Sequence, residues 1–140
     1  MKELAESLKS RGLKIISRAE LERTRYKKTF KVSTNGYIAF TLKDQRIMNI
    51  WPDNGVELAE GEADGKSGVF ILIPEQRPDD ETRFDFYRLK SGVLTLNIKR
   101  LLEHMGHYPE DGETSIRIEY IEKNVYSFQV QMQQQNGKKI

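Results

Sequence analysis

The chain of 140 residues has no cysteine, only four prolines and no long apolar run. Without cysteine it cannot form disulfides, thiol nucleophiles or thiolate metal sites, which agrees with a reducing compartment. No apolar segment approaches the roughly 18 residues that a membrane-spanning helix needs, and the N-terminus is too charged for a secretory signal. We therefore expect a cytoplasmic protein that has no membrane partner.

Sequence motifs typical of enzymes are also missing. The chain has neither a Gly-rich phosphate-binding loop nor the turn that positions a serine nucleophile in hydrolases. Glu103, His104, His107 and Asp111 are close in sequence, but Gly106 interrupts the helix between the two histidines, which argues against a metal site. We expect a non-catalytic protein that uses no metal and no cofactor.

The charge of the chain is small overall but uneven. Basic residues exceed acidic residues by 12 to 5 in residues 1–50, whereas acidic residues exceed basic ones by 10 to 3 in residues 51–85. The net charge of +2 therefore combines a basic first third with an acidic middle. This asymmetry fits either a solvated surface whose charges pair with each other or a basic face that meets phosphate.

Residues 83–130 carry the clearest pattern of secondary structure. Side chains alternate on both sides of a turn at Ser91 and Gly92, as expected for two strands. The period then becomes helical, with Asn97 able to cap the first turn and Gly106 able to supply the left-handed residue past the end. The apolar stripe of this helix consists of Ile98, Leu101, Leu102 and Met105. Two further alternating segments, 116–120 and 125–130, predict two more strands.

A weaker copy of this pattern occupies residues 29–73. At a spacing of 56 residues, positions 36–43 lie on positions 92–99, and Phe30 lies on Phe86. Asn35 and Gly36 predict a type I′ hairpin turn between the first two strands. The first helix is expected to be a single turn, because Gln45, Arg46 and Asn49 stand where the second helix is apolar. A loop is predicted over 61–68, between strands at 56–60 and 69–73, and the whole copy indicates an internal repeat.

These patterns divide the chain into five parts. They are a helical extension at 1–25, a first β-rich repeat at 26–75, a polar linker at 76–81, a second repeat at 82–130 and a flexible tail at 131–140. In the extension, one helix is predicted over 2–9, and a capping box of Ser17 and Glu20 starts another that ends near residue 25. The two helices form either a lid on the β-rich body or a helix-turn-helix, although the connection at 13–17 is long for the latter.

Each copy resembles the AbrB-like swapped-hairpin unit found in bacterial transition-state regulators, antitoxins and double-unit cell-division regulators. The resemblance rests on a strand, a Gly turn at 92, a strand that runs into a short helix, Gly106 after it, an acidic turn ending at Gly112 and a closing hairpin. It implies an α+β, β-rich fold, in which two related β-β-α-β-β units pair about a pseudo-two-fold axis into a swapped-hairpin, barrel-like body. The chain would then be a monomeric pseudo-dimer or a homodimer.

The resemblance also implies transcription regulation through double-stranded DNA. Basic residues would contact phosphates, and Asn35 or Asn97 could reach base edges. The implied nucleic-acid-binding residues are Lys27, Lys28, Lys31, Lys43 and Arg46 in the first copy and Arg88, Lys90, Lys99 and Arg100 in the second.

Two alternatives remain open from the sequence. Tyr26, Phe30, Tyr37 and Phe40 either stack single-stranded bases or pack the core of a sheet. The acidic stretch at 53–85 could instead serve a protein-interaction module, such as an antitoxin-like or inhibitor protein that binds a basic protein partner.

Overall fold

In the computed structural model, residues 6, 7, 10–63, 65–107 and 114–132 are described, and they form an α+β fold that is rich in strands. The first part of the chain contains α1 (Arg18–Thr24), β1 (Lys27–Lys31), β2 (Tyr37–Phe40), α2 (Leu42–Met48), a 3-10 turn (Pro52–Asn54), β3 (Glu57–Ala63) and β4 (Lys66–Leu72). The second part contains β5 (Phe86–Arg88), β6 (Leu94–Asn97), α3 (Lys99–His104), β7 (Thr114–Glu122) and β8 (Val125–Met132).

The larger sheet has the order β1-β7-β8-β4-β3, and every neighbouring pair in it is antiparallel. Its centre joins the two parts of the chain, because β4 pairs with β8 and places Val69 opposite Phe128. β1 adds to this sheet by pairing with β7, with Phe30 opposite Ile116. Residues far apart in sequence therefore hold the sheet together.

The smaller sheet has the order β2-β6-β5 and is also antiparallel. In its β2–β6 ladder, Tyr37 faces Asn97, Ala39 faces Thr95, and Phe40 faces Leu94. One isolated bridge between Val56 and Phe84 connects the approach to β3 with the approach to β5. This bridge links the two sheets at the ends of β3 and β5.

The type I′ hairpin predicted between the first two strands is wrong. β1 and β2 lie in different sheets, and across the turn Ser33 N–H donates to Tyr37 O while Tyr37 N–H donates to Ser33 Oγ, each at 3.0 Å. Gly36 has φ +89°, but Asn35 does not have the positive φ that a type I′ turn requires. Alternation identifies a strand, but here the partners of both strands lie in the second part of the chain.

A residue with positive φ follows each of α2 and α3, and the limits of α3 agree with those predicted. Gly106 has φ +86° just past α3, and Leu102 on its apolar stripe is fully buried. Asn97 Oδ1 accepts a hydrogen bond from Lys99 N–H at 3.0 Å, although the capping position itself is Ile98. The expectation of a single turn for the first helix is wrong, because α2 has seven residues and ends at left-handed Asn49.

The core lies between the two sheets and against α2 and α3. It combines aliphatic side chains of both sheets with Phe30, Phe40 and Phe128, all at most 3% exposed. The ring of Phe40 contacts Phe30 and Phe86 at centroid distances of 5.1 and 5.7 Å. Because residues from both parts of the chain contribute, this is one shared core.

Several predicted boundaries change. The loop expected over 61–68 is shorter, because Gly61 and Gly68 pair with each other inside the β3–β4 ladder. β8 extends to Met132, into the predicted tail, whose remaining positions 133–140 lie outside the described residues. α1 begins after Ser17, whose hydroxyl accepts a hydrogen bond from Glu20 N–H at 3.2 Å, whereas most of the helix predicted over 2–9 lies outside the described residues.

Candidate nucleic-acid interface

The turn that precedes β2 packs against the start of α3. Ile98 N–H donates a hydrogen bond to Gly36 O at 2.7 Å, and Asn97 Nδ2 donates to Asn35 O at 3.4 Å. A Cβ atom on Gly36 would lie 2.5 Å from Lys99 Cβ and 2.9 Å from Lys99 Cα. Only glycine allows this approach, so the turn and the helix start form one surface.

The turn that precedes β6 packs in the same way against the start of α2. Gln45 Nε2 donates a hydrogen bond to Gly92 O at 3.0 Å, and a Cβ on Gly92 would lie 3.0 Å from Leu42 Cδ2. Gly36 N–H donates to Ser33 O and Gly92 N–H donates to Leu89 O, each at 2.9 Å, so both turns close alike. The smaller sheet therefore carries a turn and a helix start at each end.

The structure places six of the nine predicted nucleic-acid-binding residues at three places. Lys99 and Arg100 lie at the start of α3 beside the Gly36 turn, where they line a recess with Asn97. Lys90 lies in the turn ending at Gly92, next to the start of α2 that carries Lys43. Lys27 and Lys28 lie at the third place, near α1, whereas Lys31, which borders a recess with Tyr37, and the exposed Arg46 and Arg88 lie elsewhere.

The third place is a concave surface between α1, β1 and α2, which we call the basic groove. Its volume is about 690 Å³. Arg18 and Arg25 from the α1 region join three predicted residues there, and the full set of basic lining residues is Arg18, Arg25, Lys27, Lys28 and Lys43. The structure thus adds two arginines that the sequence did not single out.

The floor of the basic groove is a buried carboxylate. Asp44 is 4% exposed, and its Oδ2 accepts hydrogen bonds from Lys28 Nζ at 2.7 Å and from Thr41 N–H at 3.0 Å. The Tyr26 hydroxyl donates to Asp44 Oδ1 at 3.0 Å. Thr41 Oγ1 in turn accepts from Asp44 N–H, which completes a capping box at the start of α2. Lys28 is therefore neutralised and is a poor candidate for phosphate contact.

These contacts determine the protonation of the network. Burial would raise the pKa of Asp44, but the hydrogen bonds from Lys28, Thr41 and Tyr26 outweigh it, so the pKa lies below its ordinary value. Burial and the adjacent carboxylate raise the pKa of Tyr26, which keeps its hydroxyl protonated as a donor. At neutral pH the groove floor is thus a fixed carboxylate with three partners.

The exposure of the aromatic side chains decides between base stacking and core packing. Tyr26, Phe30 and Phe40 are at most 8% exposed and pack in the core, so stacking of bases on them is ruled out as a role. Tyr37 differs, because it lies on the outer face of the smaller sheet and is 41% exposed. Only Tyr37 of this set can reach a nucleic acid.

His104 Nε2 lies 3.2 Å from Glu60 Oε2 at the surface. Among the described residues, no three histidine, aspartate or glutamate side chains come together as metal ligands do. Asp111, which the sequence places near the histidines, lies outside the described residues.

The structural role of Asp44 is indicated by the sequence, although not by its pattern of charges. Thr41 and Asp44 have the spacing of a capping box, in which the acidic residue reaches back to the N-cap. Arg18 and Arg25 had no such signal, because they approach Lys43 only through the packing of α1 on α2. That packing uses Arg23 Nε, which donates a hydrogen bond to Ile47 O at 2.7 Å.

No protein-family model, curated protein or solved structure matches this chain. None of the helices within the described residues has the length and hydropathy to cross a membrane.

Proposed function

We propose that the protein is a duplex-DNA-binding regulator whose two halves are related β-β-α-β-β units. In this proposal each end of the smaller sheet contacts the DNA backbone. One end presents Lys99 and Arg100, and the other end presents Lys43 and Lys90. The observation that carries the proposal is the register of the β2–β6 ladder.

That register is consistent with a two-fold relation between the halves. Ala39 and Thr95 are 56 residues apart, which is the spacing of the internal repeat, and they face each other. Ile38 corresponds to Leu94 at this spacing, and Leu96 corresponds to Phe40. The Ile38–Leu96 pair therefore corresponds to the Phe40–Leu94 pair, which belongs to the same ladder. An approximate two-fold axis through the Ala39–Thr95 pair explains this coincidence.

Further contacts support the same relation. The hydrogen bond from Ser33 N–H to Tyr37 O has a counterpart from Leu89 N–H to Val93 O, 56 residues later. At the helix ends the spacing becomes 57, where Ile50 N–H donates to Gln45 O and His107 N–H donates to Leu102 O. The relation breaks at β1 and β5, because β1 pairs with β7 whereas β5 pairs with β6.

The size of the smaller sheet suits the grooves of DNA. Three residue steps separate the first and last pairs of the β2–β6 ladder, which corresponds to about 10 Å at the usual rise of a strand. The major groove is about 12 Å wide, so basic residues at the two ends can reach phosphates on both of its sides. The exposed face between them carries Tyr37 and Tyr87, which are 41% and 67% exposed.

A protein-interaction module is the second candidate. β3 is an edge strand of the larger sheet, and Glu60 and Glu62 on it are exposed. An open edge with acidic side chains can accept a basic strand from a partner, although charges on edge strands also prevent aggregation. Absence of duplex binding at low salt would favour this candidate.

Duplex affinity measured against salt concentration tests the DNA proposal. We expect affinity to fall steeply with salt, because Lys and Arg side chains release counterions from phosphates. Lys99→Ala with Arg100→Ala should lower the slope of log affinity against log salt by about 2, and Lys43→Ala with Lys90→Ala should lower it by a similar amount.

The control is Lys123→Ala, since Lys123 lies at the β7–β8 turn of the other sheet and its side chain is 83% exposed. It should leave the slope unchanged. Equal effects of all three variants would contradict an interface at the ends of the smaller sheet. Lys28 is avoided because its removal would leave Asp44 without its cation.

A further inference from the structure

We propose that the basic groove binds a small phosphorylated molecule, such as a nucleotide or another organic phosphate. This inference does not depend on DNA binding. It concerns a site on the first unit that α1, which precedes both units, completes.

The charges of the groove are unbalanced in favour of cations. Five basic residues and two acidic residues, Glu22 and Asp44, line it, which leaves a formal charge of +3. Both acidic residues already have cationic partners, since Asp44 pairs with Lys28 at 2.7 Å and Glu22 pairs with Arg46 at 3.4 Å. The groove is therefore electropositive even after its internal pairs are formed.

Four of the cations remain unpaired. Within the part of the chain that the structure describes, Arg18, Arg25, Lys27 and Lys43 make no ion pair. Like charges around one concave surface repel each other, and a bound anion removes that repulsion. Phosphoryl groups suit the two arginines in particular, because a guanidinium can donate two parallel hydrogen bonds to phosphate oxygens.

The shape and the walls of the groove favour an organic phosphate. Its volume of about 690 Å³ lies within the range of small-molecule sites, which is about 300–1,000 Å³. Apolar side chains also line it, among them Ile47 and Leu21, which is 54% exposed. A ligand with both a phosphate and an apolar body would cover these side chains while it meets the cations.

The groove is held in place before any ligand arrives. Asp44, Tyr26 and Thr41 fix its floor through hydrogen bonds, and the bond from Arg23 to Ile47 O fixes α1 to α2. Preorganised groups lose less freedom on binding, so they bind more tightly than groups on mobile segments. The described residues between β4 and β5 form no helix corresponding to α1 beside the recess at the start of α3, and we expect no comparable ligand there.

Isothermal titration with adenosine triphosphate, pyrophosphate and adenosine tests the inference. We expect adenosine triphosphate and pyrophosphate to bind saturably at one site, and adenosine to give no saturable binding. Arg18→Ala with Arg25→Ala should weaken phosphate binding by about tenfold or more, because it removes two charge-assisted contacts. Both side chains are on the surface, so circular dichroism should show an unchanged fold.

The matched control is Lys99→Ala with Arg100→Ala, which removes two cations from the other recess. It should change phosphate affinity by less than about twofold. The inference is wrong if neither phosphate compound binds, or if both double variants lose the same affinity, which would indicate general charge attraction. It is also wrong if Arg18→Ala with Arg25→Ala weakens duplex binding while no small phosphate binds, because the groove would then serve the DNA backbone.

Discussion

Gly36→Ala should destabilise the protein by more than about 3 kcal/mol, a large part of the stability of an ordinary domain. Two effects add. The φ of +89° strains any residue that has a Cβ, and the new Cβ would lie 2.9 Å from Lys99 Cα. Since backbone cannot move aside as a flexible side chain does, either the turn or the start of α3 must shift. Urea unfolding followed by circular dichroism measures the loss.

Two other glycines separate these effects. Gly106 has nearly the same φ, +86°, but a Cβ there would have no atom of the described residues within 4 Å. Gly106→Ala should therefore lower the free energy of unfolding by about 1–2 kcal/mol through backbone strain alone. Gly92→Ala should lie between the two, because its Cβ would meet only the end of the Leu42 side chain. A cost for Gly36→Ala no larger than for Gly106→Ala would show that the turn does not pack against α3.

Asp44→Ala should cost about 2–4 kcal/mol at pH 7, because it leaves Lys28, the Thr41 N–H and the Tyr26 hydroxyl without their acceptor. The Lys28 side chain is 38% exposed, so water can solvate the released cation. We therefore expect a loss of stability near the lower end of this range. The exposed Asp79 provides a control, and Asp79→Ala should cost less than about 0.5 kcal/mol.

The cost of Asp44→Ala should depend on pH. The pKa of Asp44 is lower in the folded protein than in the unfolded chain, where it is about 3.9. A depressed folded pKa gives stability that is fully present above the unfolded pKa and is lost as pH falls through the folded pKa. Unfolding free energies of both proteins should therefore converge below about pH 4. A difference that stays constant from pH 7 to pH 3 would contradict the assignment of Asp44 as a buried carboxylate.

Sequence patterns predicted local elements well where one face of an element was apolar and the other was polar. The stripe of Ile98, Leu101, Leu102 and Met105 defined α3, because polar residues occupy its other positions. α2 was underestimated, because Gln45, Arg46 and Asn49 stand where α3 is apolar at the repeat spacing. A capping box of Thr41 and the buried Asp44 instead stabilises its start, and a hydrophobic pattern cannot indicate such a contact.

Strand partners could not be predicted from the same patterns. Alternation in 30–33 and 37–42 predicted two strands, which the structure places at 27–31 and 37–40, and a glycine turn between them suggested a hairpin. The actual partner of Lys27 is Glu119, and the partner of Tyr37 is Asn97, so each pairing depends on the whole chain. The basic groove was missed for the same reason, since the packing of α1 on α2 brings Arg18 and Arg25 to Lys43.

The most direct test of the proposed function is an amide chemical-shift titration with duplex DNA at low salt. We predict saturable changes at both ends of the smaller sheet together, at Gly36 and Lys99 on one side and at Lys43 and Gly92 on the other. Changes confined to one end, or no saturable change in either, would contradict a DNA-binding protein with two equivalent halves.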